Sequence, residues 1–501
     1  MHQMRQWIAA AEAELDIELA LDGLRGTAPV TRAADTPRPA PGTGGGSAVH
    51  AVAWEQARVR ARDSAGRPLP VVVLDLDATL GHALAAPLTA LTDLPPFDTS
   101  AMDGWAVAGP GPWRLRGGGI LAGGQPEPLG RGTAVAIATG ARLPEGASAV
   151  LRREHGVVET GDGLLIDRSG GSDGSEAEAG PDPEADPDAG LGCGLGASSG
   201  PGPGQVALGS GHVAPGRDVR PQGQQCRAGE PLLPAGTTVT PAVLGLAAAA
   251  GYDRLAVHRR PLVELLVLGD ELLESGPPRD GRVRDALGPF LPPWLRGHGA
   301  EVTGRRLVAD CFARLRDALS DSTADVVVTT GSTAAGPVNH LHAALHELGA
   351  RLLVDSVAVR PGHPMLLAEL PPAPDGRPRR LVGLPGNPPA AVAGTVTLAV
   401  PLLRRLGGHA DPEPYRTTVA AALPGHAHDT RLLPVRRVGH EVAPLPFGGP
   451  AMPRGLALAD GLAVVPPGGV PAGAYAEVLD VPGQCARETF ADGAEEWVGA
   501  C

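Results

Sequence analysis

Apolar residues follow one rhythm over the first half of this chain and another from about residue 261 onward. Upstream, Trp54 to Ala65 carries apolar positions at helical spacing and stops at Gly66 and Pro68, residues that end helices. The β-branched run at 70–76 (PVVVLDL) predicts a strand. Thr79 to Ala86 predicts a helix halted by Pro87, Pro241 to Ala250 a second helix, and GYDRLAV a strand. From 261 the pattern alternates. Leu262–Val267, Glu301–Val308, Asp325–Thr329, Arg351–Val359 and Arg380–Leu384 predict strands. Between them, Val283–Gly297, Cys311–Leu319, Val338–Leu348 and Pro388–Leu406 predict helices, the first bent or broken by Pro289, Pro292 and Pro293. Such alternation builds a mostly parallel sheet with helices on both faces, and ligands then bind outside the carboxyl ends of the strands. After Gly407 only short β-rich segments remain (TTVAAAL, RLLPVRRV, GLAVVPPG, AYAEVLD), which predict a small β-domain.

Three stretches stand apart from these two patterns. Residues 5–24 predict a helix with Trp7, Ala11, Leu15 and Leu19 on one stripe, read either as a frayed terminal helix or as a docking contact. Residues 34–48 are a Pro/Gly linker. Residues 168–217 are rich in Gly, Pro and acids without apolar periodicity. They read as a disordered acidic insertion, with a metal-binding acid cluster as the alternative.

Composition narrows the classes. The chain has 501 residues, enough for about three domains, and is 43 % hydrophobic. No apolar run reaches the roughly 18 residues of a membrane span, and acids interrupt the N-terminal apolar part, so the expectation is a cytoplasmic protein without a membrane. A net charge of −13 disfavours nucleic acid. The five cysteines (Cys193, Cys226, Cys311, Cys485, Cys501) form no zinc pattern and read as reduced thiols. All 42 basic residues are arginine. Mechanisms that need a Schiff-base or P-loop lysine are therefore closed.

Five islands carry the candidate chemistry: PPFDTSAMDGWA (95–106), ATGARLP (138–144), LGDEL (268–272), TGSTAAGPVNH (330–340) and GLPGNPPAA (383–391). In this order and spacing they resemble the molybdopterin molybdenumtransferase family, of the bacterial MoeA and eukaryotic gephyrin-E type, over residues 50–480. That resemblance implies an α/β multidomain fold. An elongated β-rich N-terminal region would span 50–260, with the insertion at 168–217. A central three-layer α/β domain of molybdopterin-binding type, with a mostly parallel sheet, would span 261–407. A small C-terminal β-barrel-like domain would span 408–485. Residues 1–49 and 486–501 fall outside this frame. The implied activity is insertion of molybdate into adenylyl-molybdopterin with Mg2+, giving molybdenum cofactor and AMP. A homodimer is implied, its cleft shared between Asp103 of one subunit and the α/β domain of the other. A molybdopterin-adenylating protein and molybdoenzymes are candidate partners.

The resemblance also assigns roles. Asp103, Thr139 and Glu271 would be catalytic, and Asp270 with Glu271 would hold the metal, as carboxylates suit Mg2+. Ser100, Gly331, Gly336, Asn339, Arg360, His363, Pro385, Asn387 and Pro388 would bind substrate, glycine turns and cations being the groups that take phosphates. Asp285 matches the acid of an Asp-Ser-Asn motif. Several family polar positions are replaced, by Leu268, Leu287, Ala334, Asn339, His363, Ala390 and Ser148. The alternative is therefore a pterin-binding or scaffold paralogue. A remoter reading comes from VVVLDLDATLG (71–81), which resembles the first motif of haloacid-dehalogenase-type phosphatases, with Asp75 as nucleophile and Asp77 as acid/base.

Overall fold

The computed structural model describes residues 51–159, 163–168, 213–333, 340–445 and 453–481. The expected helix at 5–24, the linker at 34–48, the tail from 486 and nearly all of the acidic stretch lie outside the described residues. The chain divides into two units, one of residues 1–88, 233–245 and 253–501, the other of 89–232 and 246–252.

The first unit holds a six-stranded sheet. Its strands are β1 (Leu262–Leu268), β2 (Glu301–Val308), β3 (Val326–Thr330), β4 (Arg351–Asp355), β5 (Leu366–Leu370) and β6 (Arg379–Leu384), in the spatial order β2-β1-β3-β6-β5-β4. β2, β1, β3 and β6 run parallel; at one edge β5 pairs antiparallel with β6, and β4 pairs antiparallel with β5. The period of two decides the layers. Val263, Leu265 and Val267 of β1 join one buried cluster, which also takes in helices α1 (Leu287–Gly297), α4 (Pro388–Gly394) and α5 (Val400–Leu406). Leu266 and Leu268 join the opposite cluster with α2 (Phe312–Asp321) and α3 (His340–Glu347). Three layers result, as the alternating pattern predicts.

Several elements depart from the sequence reading. Arg351–Val359 is not one strand. Ser356 adopts φ 73°, a left-handed conformation that breaks extended chain. Residues Val357–Arg360 then leave the sheet to pair with Val52–Ala53 and with Thr430–Val438. The Pro388–Leu406 helix exists but passes through a π turn at Thr395–Ala399. Pro401 lacks an amide hydrogen and crowds the preceding turn, so the ladder must widen there. Thr395 and Thr397 donate to the carbonyls of Ala391 (2.8 Å) and Ala393 (2.6 Å), and the buried Trp54 indole donates to Thr397 (3.0 Å). α1 keeps Pro292 and Pro293 inside because Leu291, Trp294 and Leu295 are buried around them.

Thr79–Ala86 forms no helix. A 3-10 turn at Leu76–Thr79 ends where Gly81 takes φ 77°, and Ala83 and Leu84 then bridge to Thr238 and Val257. Among the described residues Val71–Asp75 pairs with Arg254–His258 alone, antiparallel, in a two-stranded ribbon. Asp75 is largely exposed and binds Arg254 at 3.1 Å. The phosphatase reading falls on this, since its nucleophile must end a central strand of a parallel sheet.

A five-stranded barrel closes the first unit. It runs Thr430–Val438, Glu441–Pro444, Arg416–Val419, Tyr475–Asp480, Gly461–Val465 and back to Thr430–Val438. Val419, Leu433, Val435, Ala463 and Val478 fill it. In the second unit a six-stranded sheet packs Val107, Trp113, Ala134, Leu151 and Leu165 into one core.

Two buried polar clusters tie the first unit together. Asp325, 2 % exposed, accepts two bonds from Arg259 (2.9 and 3.0 Å), one from Arg377 (2.8 Å) and one from the Leu262 amide (2.8 Å). Elsewhere, His409 is buried and shares a hydrogen bond with Thr238 (2.9 Å). Burial, then the charge of Arg404, push His298 and His409 down to about 4; His82, Arg260 and His258 add to the effect on His409. Asp411 offsets the charge of Arg404, and Glu301 that of His82.

Asp325→Asn would strip the arginines of their buried partner. The expected loss is about 3 kcal/mol or more by denaturant unfolding; a loss within about 0.5 kcal/mol would show that the cluster is dispensable. The histidines give a pH signature. An unfolded chain takes up their protons below about 6.5, the folded one only near 4. Stability from these groups is therefore complete above about 6.5 and falls as pH drops toward 4. Thermal unfolding across that window should show a decline that His298→Gln and His409→Gln together flatten.

Candidate functional site

Four chain turns meet at the carboxyl ends of the parallel strands and enclose a cavity of about 210 Å³. β1 runs into Gly269 and Glu271, β2 into Asp310, β3 into Gly331 and Ser332, and β6 into Gly386 and Pro388, all of which line it. Its residues meet there because the register is strict: Val267 pairs with Thr330, and Thr330 with Leu384. Gly331, at φ 90°, donates its amide to the Leu384 carbonyl (2.8 Å), and a Cβ on it would stand 3.2 Å from the Leu268 carbonyl oxygen. Gly269, at φ 140°, has the Glu271 carboxylate folded over it, within 2.6 Å of where a Cβ would be. Only glycine takes both the conformation and the close approach.

Three carboxylates line the cavity: Glu271, Asp285 and Asp310. Asp285 is 4 % exposed, caps the start of α1 through the Gly288 amide (2.8 Å) and lies 3.5 Å from Arg305. Asp270 is not part of the lining. Its amide and carboxylate exchange long bonds (3.4 and 3.3 Å) with the carboxylate and amide of Asp310. Asp310 stands in none of the five islands; its sequence signal is its place two residues beyond Val308, at the end of β2. Among the described residues no group of three His, Cys, Asp or Glu side chains is arranged to hold a metal ion. Gly336 and Asn339, with Ala334, lie outside the described residues.

Of the remaining described binders the sequence suggested, one reaches the cavity. Pro388 lines it; Pro385, Asn387, Arg360 and His363 do not. Asn387 caps α4, its side chain accepting the Ala390 amide at 3.3 Å, with Pro388 opening the helix. Arg360 donates to Asp429 at 2.8 Å. His363 accepts the Val357 amide on its carbonyl (3.0 Å), while its Nδ1 is buried without a partner.

The second unit brings together Asp103 and Thr139. Oδ1 of Asp103 accepts both the amide (2.7 Å) and the hydroxyl (2.9 Å) of Thr139. These two bonds, and then Arg153, hold the exposed Asp103 carboxyl below the usual carboxylate range. Ser100 is buried and donates to the Met102 carbonyl at 2.5 Å, shaping the turn that presents Asp103. Gly104 follows because a Cβ there would lie 2.0 Å from the Leu151 carbonyl oxygen. Ser148 serves the backbone, accepting from Gly109 (3.0 Å) and donating to Val107 (3.1 Å).

Comparison with known proteins bears on the whole arrangement. The family model for the MoeA N-terminal region (domain I and II) matches residues 52–251. A probable molybdopterin binding domain matches 264–405, and the MoeA C-terminal region (domain IV) matches 416–481. A molybdopterin molybdenumtransferase of Nostoc sp. is 30 % identical over 351 residues, 67 % of this chain and 69 % of that one. The protein of the same name from Synechococcus elongatus is 31 % identical over 346 residues, 66 % and 73 % of the two chains. The crystal structure of a molybdopterin biosynthesis MoeA protein from Pyrococcus horikoshii shares the fold, with a TM-score of 0.62 and 18 % identity over 86 % of this chain and 99 % of that one. With three consecutive family matches and 30 % identity across two thirds of a relative, the chain belongs to the molybdopterin molybdenumtransferase family.

Proposed function

We propose that this chain is a molybdenum-transferring enzyme of molybdenum cofactor biosynthesis, inserting molybdate into adenylyl-molybdopterin and releasing AMP. The observation that carries the reading is the strand-end cavity, in which glycine turns and the carboxylates of Glu271 and Asp310 face one space. Family membership supports it.

The residues fit Mg2+. That ion binds through one or two carboxylates together with substrate phosphates and water, so a third carboxylate is not required. Glu271 and Asp310 would hold it, with Asp270 steadying Asp310 from behind. When bound it would polarise the phosphoanhydride. Gly331 lets a ligand approach the main chain closely. Asp103 stays ionised through its Thr139 bonds and acts as the catalytic carboxylate. The protein works as a cytoplasmic homodimer, one subunit presenting Asp103 to the α/β domain of the other. No helix among the described residues is long and apolar enough to cross a membrane.

Expression in a host without its own insertase, at physiological molybdate, should restore molybdoenzyme activity. Failure with soluble protein present would sink the reading in favour of a binding paralogue. Asp103→Ala should lower insertion about 100-fold or more; unchanged turnover would remove Asp103 from the site. Chains carrying Asp103→Ala and Glu271→Ala should each be inactive alone. Co-expressed, they should regain activity in mixed dimers, and no recovery would place both residues' work within one subunit.

A further inference from the structure

Arg284 is the only cation among the described residues lining the strand-end cavity. The charge around it is otherwise of one sign. Glu271 and Asp310 face the space, and Asp285 is already met by Arg305 and the Gly288 amide. A tetrahedral oxyanion entering such a cavity would be repelled. Like charges a few ångströms apart repel strongly where a protein surface lowers the effective dielectric. The chain contains no lysine that could relieve this, and Arg360 is taken by Asp429.

The placement of Arg284 is fixed by the backbone. Leu272–Leu273 and Val283–Arg284 pair in parallel as a small ribbon. The Val283 amide donates to the Glu271 carbonyl (2.8 Å) and the Asp285 amide to the Leu273 carbonyl (3.0 Å). Glu271 and Arg284 are thus carried by one ribbon at a set spacing. Among the described residues the guanidinium is steadied by a single bond, from Nη1 to the Leu273 carbonyl (3.1 Å). A guanidinium has five N–H donors in a planar fork, so this bond orients the group and leaves a forked face for an anion.

We propose that Arg284 binds a tetrahedral oxyanion of the substrates in this cavity and positions it beside Glu271 and Asp310. The inference rests on the molybdenum-transfer reading of the same cavity. The anion is either the nucleotide phosphoryl group or molybdate, and two titrations separate them.

The test uses the full chain and calorimetric titration with AMP and, separately, with sodium molybdate. Arg284→Ala should weaken one of the two about tenfold or more, and the affected titration names the anion. Arg284→Lys should recover part of the affinity, because charge survives without the fork. Arg279→Ala, an exposed change in the same segment outside the cavity lining, should leave both titrations as in the parent chain. In turnover, Arg284→Ala should raise KM more than it lowers kcat. Affinities within about twofold of the parent for both anions would overturn the proposal, as would an Arg279→Ala loss equal to that of Arg284→Ala. A parent chain that binds neither anion also overturns it. The broader reading then stands or falls separately, on whether that parent restores molybdoenzyme activity.

Discussion

Asp325 sets the frame on which the cavity depends. A carboxylate with 2 % exposure is tolerable only when its charge is met, and here two arginines and a backbone amide meet it. The partners come from the segment before β1, the start of β1 itself and the segment before β6. The Asp325 carbonyl also takes the Arg380 amide at 2.9 Å. The amino ends of β1, β3 and β6 are therefore pinned at one point. Parallel strands propagate that alignment residue by residue, so Val267, Thr330 and Leu384 finish side by side. The position of the cavity at one edge of the sheet is a consequence of an ion cluster at the other.

Much of this was legible in the sequence for a simple reason. A sheet buried on both faces needs continuous apolar strands, and β1, β3 and β6 supply them. What escaped was tertiary. Ser356 carries no mark that would announce φ 73°, and the split it causes depends on partners in the barrel and at Val52. Thr79–Ala86 has helical composition, yet Ala83 and Leu84 find strand partners far away in sequence. The π turn reflects Pro401 following a run, 389–399, that is buried throughout, where breaking the helix would expose more than widening it.

The site divides in the same way. Gly269 and Gly331 could be read from sequence because φ values of 140° and 90° admit almost nothing but glycine. Polar residues are freer. Asp270 occupies the motif position but is turned to Asp310, and Asp310 reaches the cavity without standing in any motif. Arg360 matches a cation position but is held by Asp429. Short motifs mark where the backbone must turn; they do not settle which neighbouring charge ends up facing the ligand.

An all-arginine cation set has one further consequence. Arginine stays charged at any physiological pH, so Arg284 cannot release an anion by deprotonation. None of the cavity's lining residues is a histidine. The histidines whose proton affinity falls furthest, His298 and His409, belong instead to the cluster around Arg404. Mild acidification therefore acts on the fold through these two histidines. Where activity falls with pH in step with thermal stability, the loss belongs to the histidine cluster. Where activity falls while stability holds, the titrating group is a carboxylate of the site or the bound substrate itself.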